Sequence, residues 1–295
     1  MWKISPVPFL KGKRPLVIAH RGDSHIVPEN SLSAIEDAVK LKVDVIETDL
    51  RVTKDDEIIL FHDATVNRTT NDKGTVKSFT LAELKKLDQG YYFEGVNEFK
   101  GTFPYRGQGM QIQSLDEILK KFPKMRFNVD IKDKFPKAPK ILADKLKELD
   151  ADDRVMVGSF HQKQLRLFRE LSAAPTSAGP FEVLHFRRKV MEWIKKNKIF
   201  DYTQDVVLEQ EEILGEALPY FALQIPEKFL FVKSFRGPKF FSVSHMLDIA
   251  VHVWTVNDPG DMFRLLDWGV DGIFTDKPSL LLDIVEFLMK KKKIK

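Results

Sequence analysis

The sequence predicts an α/β fold, a (β/α)8 barrel with a small subdomain inserted after a β2 hairpin, and three observations carry that expectation. Short β-rich runs alternate with amphipathic helical patterns, the signature of βα units around a parallel sheet. The alternation can be counted eight times, which is the repeat of a TIM barrel. Ionisable residues gather where the strands end, the face on which barrels of this kind place their chemistry.

The strands are expected at residues 15–20, 44–50, 125–131, 154–159, 173–178, 221–225, 251–256 and 272–275. The helices that follow them are expected to begin near Ser31, Ser114, Lys137, His161, Phe181, Ser242, Pro259 and Pro278. Ser114 with Glu117 three residues on resembles a capping box, and Pro259 and Pro278 occupy first-turn positions after Asp258 and Lys277. Two stretches break the alternation. Residues 51–63 read as a hairpin, with a turn at Thr53-Lys54-Asp55-Asp56-Glu57 and a return along Ile58-Ile59-Leu60-Phe61. The glycine-bearing stretch that follows, with Gly74, Gly90, Gly95, Gly101, Gly107 and Gly109, reads as an insertion over 63–113 that emerges on the C-terminal face of the barrel. The second stretch, 226–241, carries Phe229, Phe231, Phe235, Phe240 and Phe241 and belongs to the same face. The organisation expected is therefore one barrel over 15–289, with a basic tail at 290–295.

Composition narrows the function classes. With 43% hydrophobic residues, 31% charged residues and 23 phenylalanines, the chain can bury a large core, which excludes disorder, collagen and a coiled coil. The absence of cysteine excludes disulfides, thiolate nucleophiles, iron–sulfur clusters and cysteine-ligated zinc, so any metal must sit on carboxylates or imidazoles. It also agrees with a cytoplasmic setting. The net charge of +4 belongs to the tail: without the five lysines among the last six residues, the chain carries 42 basic against 43 acidic residues. A nucleic-acid-binding body is thus not expected, and the tail reads as a solvated helix end. No apolar run approaches the ~18 residues of a transmembrane segment. The opening MWKISPVPFLKGKRP, with two prolines in its short apolar stretch and no small-residue cleavage site, does not read as a signal peptide.

Four ionisable clusters fall at strand ends. The first strand closes on Ile18-Ala19-His20-Arg21-Gly22-Asp23, with Pro28-Glu29-Asn30 leading into the first helix. An imidazole and a guanidinium are thereby expected at the rim, with Gly22 permitting a sharp exit. In Glu47-Thr48-Asp49 the two carboxylates share one strand face while Ile46, Thr48 and Leu50 share the other. The apolar set should face the helices, which sends both carboxylates into the barrel. Two inward carboxylates repel one another unless positive charge sits between them. A hard divalent cation on oxygen ligands supplies that charge, and so does an ion pair with Arg51 or Lys132; the residues leave both open. The same alternation turns Asn128, Asp130 and Lys132 inward, making Asp130 a third candidate oxygen ligand and Lys132 a candidate phosphate partner. In Phe61-His62-Asp63 the returning hairpin arm brings His62 toward Glu47 and Asp49. His20 and His62 suit general base and general acid. The other five histidines, His25, His161, His185, His245 and His252, lack such a setting and read as surface or packing residues. A metal-bridged site with Arg, Lys and two His is suited to an anionic, oxygen-rich substrate whose leaving group needs a proton, which phosphodiester cleavage fits best.

At these residues the chain resembles the glycerophosphodiester phosphodiesterase family. The match runs from His20-Arg21-Gly22 and Pro28-Glu29-Asn30 through Glu47-Thr48-Asp49-Leu50, Phe61-His62-Asp63 and Asp130-Ile131-Lys132. It continues through Ser159-Phe160 and Trp254-Thr255-Val256-Asn257 to Asp271-Gly272-Ile273-Phe274-Thr275-Asp276-Lys277-Pro278, covering about 15–283. The resemblance implies hydrolysis of glycerophosphodiesters, such as glycerophosphocholine or glycerophosphoethanolamine, to an alcohol and glycerol 3-phosphate. It implies one divalent cation, Mg2+ or Ca2+, on Glu47, Asp49 and Asp130. His20 and His62 match the catalytic pair, here taken as base and acid respectively, with the reverse also open. Arg21 and Lys132 match phosphate contacts, and Phe160, Gln224 and Trp254 match the substrate pocket, although Trp254 reads equally as a core aromatic. The family more often has Glu where this chain has Asp130, one methylene shorter, so ligation there goes through water or needs a shifted metal. Either water or the substrate's own glycerol hydroxyl can serve as nucleophile.

Two rival readings remain. A lysophospholipase D or sphingomyelinase D-like enzyme acting on lipids is supported by the aromatic stretch 229–241, as an acyl wall, and by the lysine tail. Against it, the same phenylalanines can simply pack the sixth loop onto the barrel, and the sphingomyelin-specific relatives are typically disulfide-bonded. A non-catalytic barrel that binds phosphate or polyols is the other, opposed by the filled reactive positions.

Overall fold

The computed structural model describes residues 7–12, 15–197, 208–227 and 237–293. In chain order its elements are β1 (Leu16–His20), α1 (Leu32–Lys40), β2 (Val45–Val52), β3 (Ile58–Leu60), α2 (Leu81–Leu84), α3 (Leu115–Lys121), β4 (Arg126–Ile131), α4 (Lys137–Glu148) and β5 (Val155–Gly158). There follow α5 (Gln162–Leu171), α6 (Pro180–Asn197), α7 (Gln210–Leu214), β6 (Ala222–Pro226), α8 (Pro238–Met246), β7 (Ala250–Trp254), α9 (Pro259–Asp267), β8 (Gly272–Thr275) and α10 (Pro278–Lys293).

Seven of the strands run parallel in one curled sheet in the order β5-β4-β2-β1-β8-β7-β6, with β3 antiparallel on β2 as the expected hairpin. The strand expected at 173–178 is reduced to two single-residue parallel bridges, Thr176 to Val157 and Ser177 to Ala222. Those bridges lie between the two edge strands and join them. Val157 N–H donates to Pro175 O at 2.9 Å and Ser177 N–H to Val157 O at 3.0 Å; on the other side Ala178 N–H donates to Ala222 O at 2.8 Å. Pro175 has no N–H to give a ladder, and the alanines around it offer little side chain to pack on a pleated surface, so pairing stays local. The helix expected near Ser242 starts earlier, at Pro238, where Gly237 turns the chain with φ 87° and proline fits the first turn. The start signals at Ser31, Ser114 and Asp258 are realised: each side chain accepts a first-turn N–H, and Ser114 with Glu117 completes a capping box.

Alternation along the strands divides the barrel into shells. Val17, Ala19, Ile46, Leu50, Phe127, Val129 and Val157 point outward into the main core beneath the helices. Leu16, Ile18, Val45, Met156, Ala222, Ala250 and Phe274 fill the lower interior, and Val7, Phe9 and Leu10 plug it from below. Apart from the two alanines, each of these buried side chains contributes roughly 1.5–3 kcal/mol. The plug is fastened by Arg126, whose guanidinium donates to the carbonyls of Phe9 and Lys11 at 2.7 and 2.8 Å. Above this apolar floor the inward positions become polar: register pairs His20 with Glu47 and Glu47 with Asn128, then Asp49 with Asp130 one layer higher. The apolar floor is what makes a layer of charge at the mouth affordable to the fold.

The stretch after β3 has a small core of its own, in which Val66, Val76, Leu84, Leu87 and Ile112 pack on Ile59 and Phe61 of the hairpin. It is tied to the loop after β1 by Gln89 Nε2 donating to Glu29 O at 3.1 Å and Tyr105 Oη donating to Ile26 O at 3.2 Å. The insertion thus lies against the C-terminal face. Phe240 and Phe241 are buried, against Phe186 and Trp268 respectively, and anchor α8 rather than facing the mouth. Phe229, Phe231 and Phe235 lie outside the described residues, as do the last two residues of the lysine tail.

Candidate active site

The His20-Arg21-Gly22 turn shows why those residue types stand together. Arg21 adopts φ 58° and Gly22 φ 85°, and a Cβ on Gly22 would stand 2.7 Å from the backbone of Ala34. The turn therefore needs glycine at that point, and it folds Arg21 back over the barrel. Its backbone N–H donates to Glu47 Oε2 at 3.1 Å; its guanidinium donates to Glu29 Oε1 at 2.9 Å and stands 3.0 Å from Asp49 Oδ2. Asn30, with φ 57°, donates to Asp49 Oδ2 at 3.0 Å and accepts from Thr48 Oγ1 at 2.7 Å. The Pro28-Glu29-Asn30 motif is thereby a clamp on β2.

All ten residues expected at the site line one cavity of about 770 Å3 at the barrel mouth: His20, Arg21, Glu47, Asp49, His62, Asp130, Lys132, Phe160, Gln224 and Trp254. Asn128 and Arg187 join them. Lys132 answers the question of what separates the carboxylates in this structure, since its ammonium lies 2.9 Å from Asp49 Oδ1 and 2.6 Å from Asp130 Oδ2. Burial disfavours its charge, but the three carboxylates around it outweigh burial and raise its pKa. Burial also opposes ionisation of Asp49, yet Arg21 and Lys132 hold it at about 2. Glu47 has the opposite balance: burial, with Asp49 beside it, pushes its carboxyl up to about 7. Arg51 takes no part in this layer; it donates to Asp133 Oδ1 at 2.9 Å and to the His62 carbonyl at 2.8 Å, holding the hairpin against β4. Gln224 donates to Asn128 Oδ1 at 2.6 Å, and Phe160 meets Trp254 edge-on with ring centroids 5.6 Å apart.

Each histidine is backed by a carboxylate. His20 Nδ1 lies 2.6 Å from Asp276 Oδ1, and Asp276 also accepts from Asn257 Nδ2 at 2.6 Å and Ser24 Oγ at 3.1 Å. Burial works against the charge on Asp276, but these donors hold it at about 2, so at neutral pH it accepts the Nδ1 proton. For His20 itself burial lowers the pKa while Glu47 and Asp276 raise it, and the rise prevails. His62 Nδ1 lies 2.6 Å from Asp63 Oδ1. Arg68 donates to both oxygens of Asp63, at 2.7 and 3.1 Å, and to both of Glu29, at 2.9 and 2.7 Å. Led by those Arg68 bonds, the Asp63 carboxyl falls to about 2. With Nδ1 committed in each ring, the other nitrogen is left for proton transfer.

Asn257 and Asp276 lie in stretches that match the family but carried no assigned role, and Arg68 and the role of Asp63 were not legible as parts of the site. Asp276 and Asn257 stand far along the chain from His20, and Arg68 looks like any exposed arginine of an insertion. A carboxylate directly after His62 was the one visible signal. Among the described residues no three His, Asp or Glu side chains converge as ligands of a metal. The donor chemistry nevertheless fits a hard cation: Glu47, Asp49 and Asp130 occupy neighbouring inward positions on β2 and β4, and Asp130 Oδ1 is buried with no hydrogen-bond partner.

The model of the glycerophosphoryl diester phosphodiesterase family matches residues 20–280. Among curated proteins, a glycerophosphodiester phosphodiesterase of Bacillus subtilis is 34% identical over 274 residues, covering 92% of this chain and 87% of its own. One of Caldanaerobacter subterraneus subsp. tengcongensis is 33% identical over 277 residues, covering 92% and 98%. Among solved structures, an Oleispira antarctica phosphodiesterase in complex with the product sn-glycerol-3-phosphate shares the fold with TM-score 0.66 at 22% identity, over 92% of this chain and 97% of that one.

Proposed function

The chain belongs to the glycerophosphoryl diester phosphodiesterase family, and from that premise we propose that its barrel mouth hydrolyses glycerophosphodiesters to an alcohol and glycerol 3-phosphate. The observation that carries the reading is the pairing of His20 with Asp276 and His62 with Asp63 around one cavity that also holds Arg21 and Lys132. Acid and base are thus present beside two cations able to hold an anionic phosphoryl group. The relative crystallised with glycerol 3-phosphate carries that product class on the same fold.

In the proposed reaction His20 is the base that takes a proton from the nucleophile, and His62 is the acid that protonates the departing alkoxide. Asp276 and Asp63 fix the ring orientations; Asp276 stabilises the imidazolium that forms on His20, and Asp63 the one His62 holds before it gives up its proton. Arg21 and Lys132 balance charge on the non-bridging oxygens, and the Arg21–Asp49 and Lys132–Asp49 contacts hold both cations in place beforehand. Glu47, Asp49 and Asp130 are the proposed ligands of a divalent cation, Mg2+ or Ca2+, which when bound adds Lewis-acid polarisation of the phosphoryl oxygens.

A second reading, a diester that carries an acyl chain, is favoured by one observation. Phe160, Pro180, Val183, Leu184, Pro226 and Trp254 give the cavity an apolar wall that a glycerol headgroup does not need. Pro180, Val183 and Leu184 of this wall come from α6, while Phe160, Pro226 and Trp254 come from the ends of strands. A panel containing glycerophosphocholine, glycerophosphoethanolamine and lysophosphatidylcholine, assayed after chelation and again with Mg2+ or Ca2+ restored, tests reaction, head group and metal together. Cleavage of the soluble diesters, lost on chelation and regained with one cation, is expected. Preference for the lysolipid would favour the second reading, and hydrolysis indifferent to chelation would remove the metal from the proposal.

A further inference from the structure

We propose that the first two turns of α6, with Phe160, form a docking surface for an anionic lipid interface and set the cavity mouth against it. Pro180, Val183, Leu184 and Arg187 recur at helical spacing and line the cavity, so two turns of this 18-residue helix stand as a wall of the mouth. Large apolar side chains crown that wall on its solvent side: Phe181 is 73% exposed, Phe160 57% and Leu184 55%. Contiguous exposed apolar surface beside a site marks a contact with something other than water. The rim is continuous with the ionic layer, since Phe160 leans on Trp254 and its ring centroid lies 5.6 Å from Lys132 Nζ.

Charge identifies the occupant. Residues 183–197 carry five basic side chains, Arg187, Arg188, Lys189, Lys195 and Lys196, against the single acidic Glu192. Just before them, Glu182 is held by Arg169 at 2.7 Å. Arg188 lies one helical turn beyond Leu184 on the same exposed stripe, which continues through Glu192 to Lys195, so Arg187, Arg188 and Lys189 are the cations nearest the apolar tip. An apolar tip backed by cations binds an anionic lipid surface through apolar burial and electrostatic attraction acting together. A second copy of the chain suits the patch less well, because a two-fold contact would face like charges with like. The lysine run of α10 does not share this face: that helix starts beside Asp276 at the mouth and its 16 residues run about 24 Å to the other end of the barrel. Docking does not depend on which diester is cleaved.

Sedimentation of the full chain with vesicles of equal parts phosphatidylcholine and phosphatidylglycerol tests the proposal, beside vesicles of phosphatidylcholine alone. The chain is expected to sediment with the anionic vesicles and to bind the neutral ones about tenfold more weakly. Phe181→Ser and Arg188→Glu, both outside the cavity lining, should each weaken anionic-vesicle binding about tenfold while circular dichroism and the hydrolysis of glycerophosphocholine in solution stay unchanged. Absence of binding to anionic vesicles, or binding that neither variant alters, overturns the proposal. So does a concentration-dependent dimer in ultracentrifugation that Phe181→Ser abolishes. Should the chain hydrolyse no diester yet lose vesicle binding on these substitutions, docking stands and the catalytic reading falls.

Discussion

Replacing Asp276 by Asn tests the base assignment through a residue that does not touch the substrate. Asp276 accepts on one side from His20 Nδ1 and on the other from Asn257, each at 2.6 Å. An amide has one acceptor oxygen for these two demands. If it serves Asn257, an N–H faces His20 and forces the proton onto the other ring nitrogen, where the base must be empty. If it serves His20, two amide N–H groups oppose each other. The first outcome disables the base and the second holds it only against a repulsive contact; a general base contributes typically ~10²–10⁴ in rate, or about 3–5 kcal/mol of transition-state stabilisation. kcat for glycerophosphocholine should fall by that factor, with KM much less affected. Asp276 is also one of the groups that raise the His20 pKa, so the acid limb of kcat/KM, which falls as His20 takes up a proton, should move to lower pH in the variant. Stability must be checked alongside. A carboxyl held at about 2 stabilises the fold above its unfolded value near 3.8, and that contribution is lost as pH falls from there toward 2. At neutral pH the variant gives it up, so rates belong well below its Tm. A kcat within about threefold of the parent, with an unshifted acid limb, would show that Asp276 does not orient His20 as the base.

Arg68→Lys should lower kcat about tenfold, because a single ammonium cannot reproduce four bonds to Asp63 and Glu29; full activity by steady-state kinetics would show that the His62 backing does not need this fork. Gly22→Ala adds a Cβ 2.7 Å from the Ala34 backbone at φ 85° and should cost about 2 kcal/mol or more by denaturant unfolding, whereas an unchanged midpoint would mean the turn can move. Asp23 is buried, and burial with Asp37 nearby pushes its carboxyl up to about 6. Its ionisation therefore destabilises the fold increasingly from pH 4 to beyond 6. Asp23→Asn should raise stability on the order of 1 kcal/mol at pH 8 and less at pH 4, and a gain of equal size at both pH values would contradict that origin.

What the sequence revealed was whatever strand periodicity and local turn chemistry control. Glu47 and Asp49 point into the barrel because β2 alternates, and His62 reaches the mouth because residues 51–63 form a hairpin. The strand at 173–178 was overcounted because a β-rich spacing does not reveal that Pro175 interrupts the ladder. Partners such as Asp276 and Arg68 were hidden for a different reason: their roles depend on which loops the closed barrel brings together. The α6 wall was hidden too, since an amphipathic helix pattern does not say that its first turns stand over a cavity rather than against the sheet. Of the aromatic stretch, Phe240 and Phe241 are buried in the α8 contact, while Phe229, Phe231 and Phe235 lie outside the described residues.

The central proposal is cleavage of a glycerophosphodiester between phosphorus and its alcohol by the His20 and His62 pair. Phosphorus NMR of glycerophosphocholine incubated with the parent and with His62→Ala tests this most directly. The parent should convert the diester resonance to that of glycerol 3-phosphate, and the variant, lacking its acid, should slow the conversion by ~10²–10⁴. Phosphocholine as the phosphorus product, or conversion by His62→Ala at the parent rate, would contradict it.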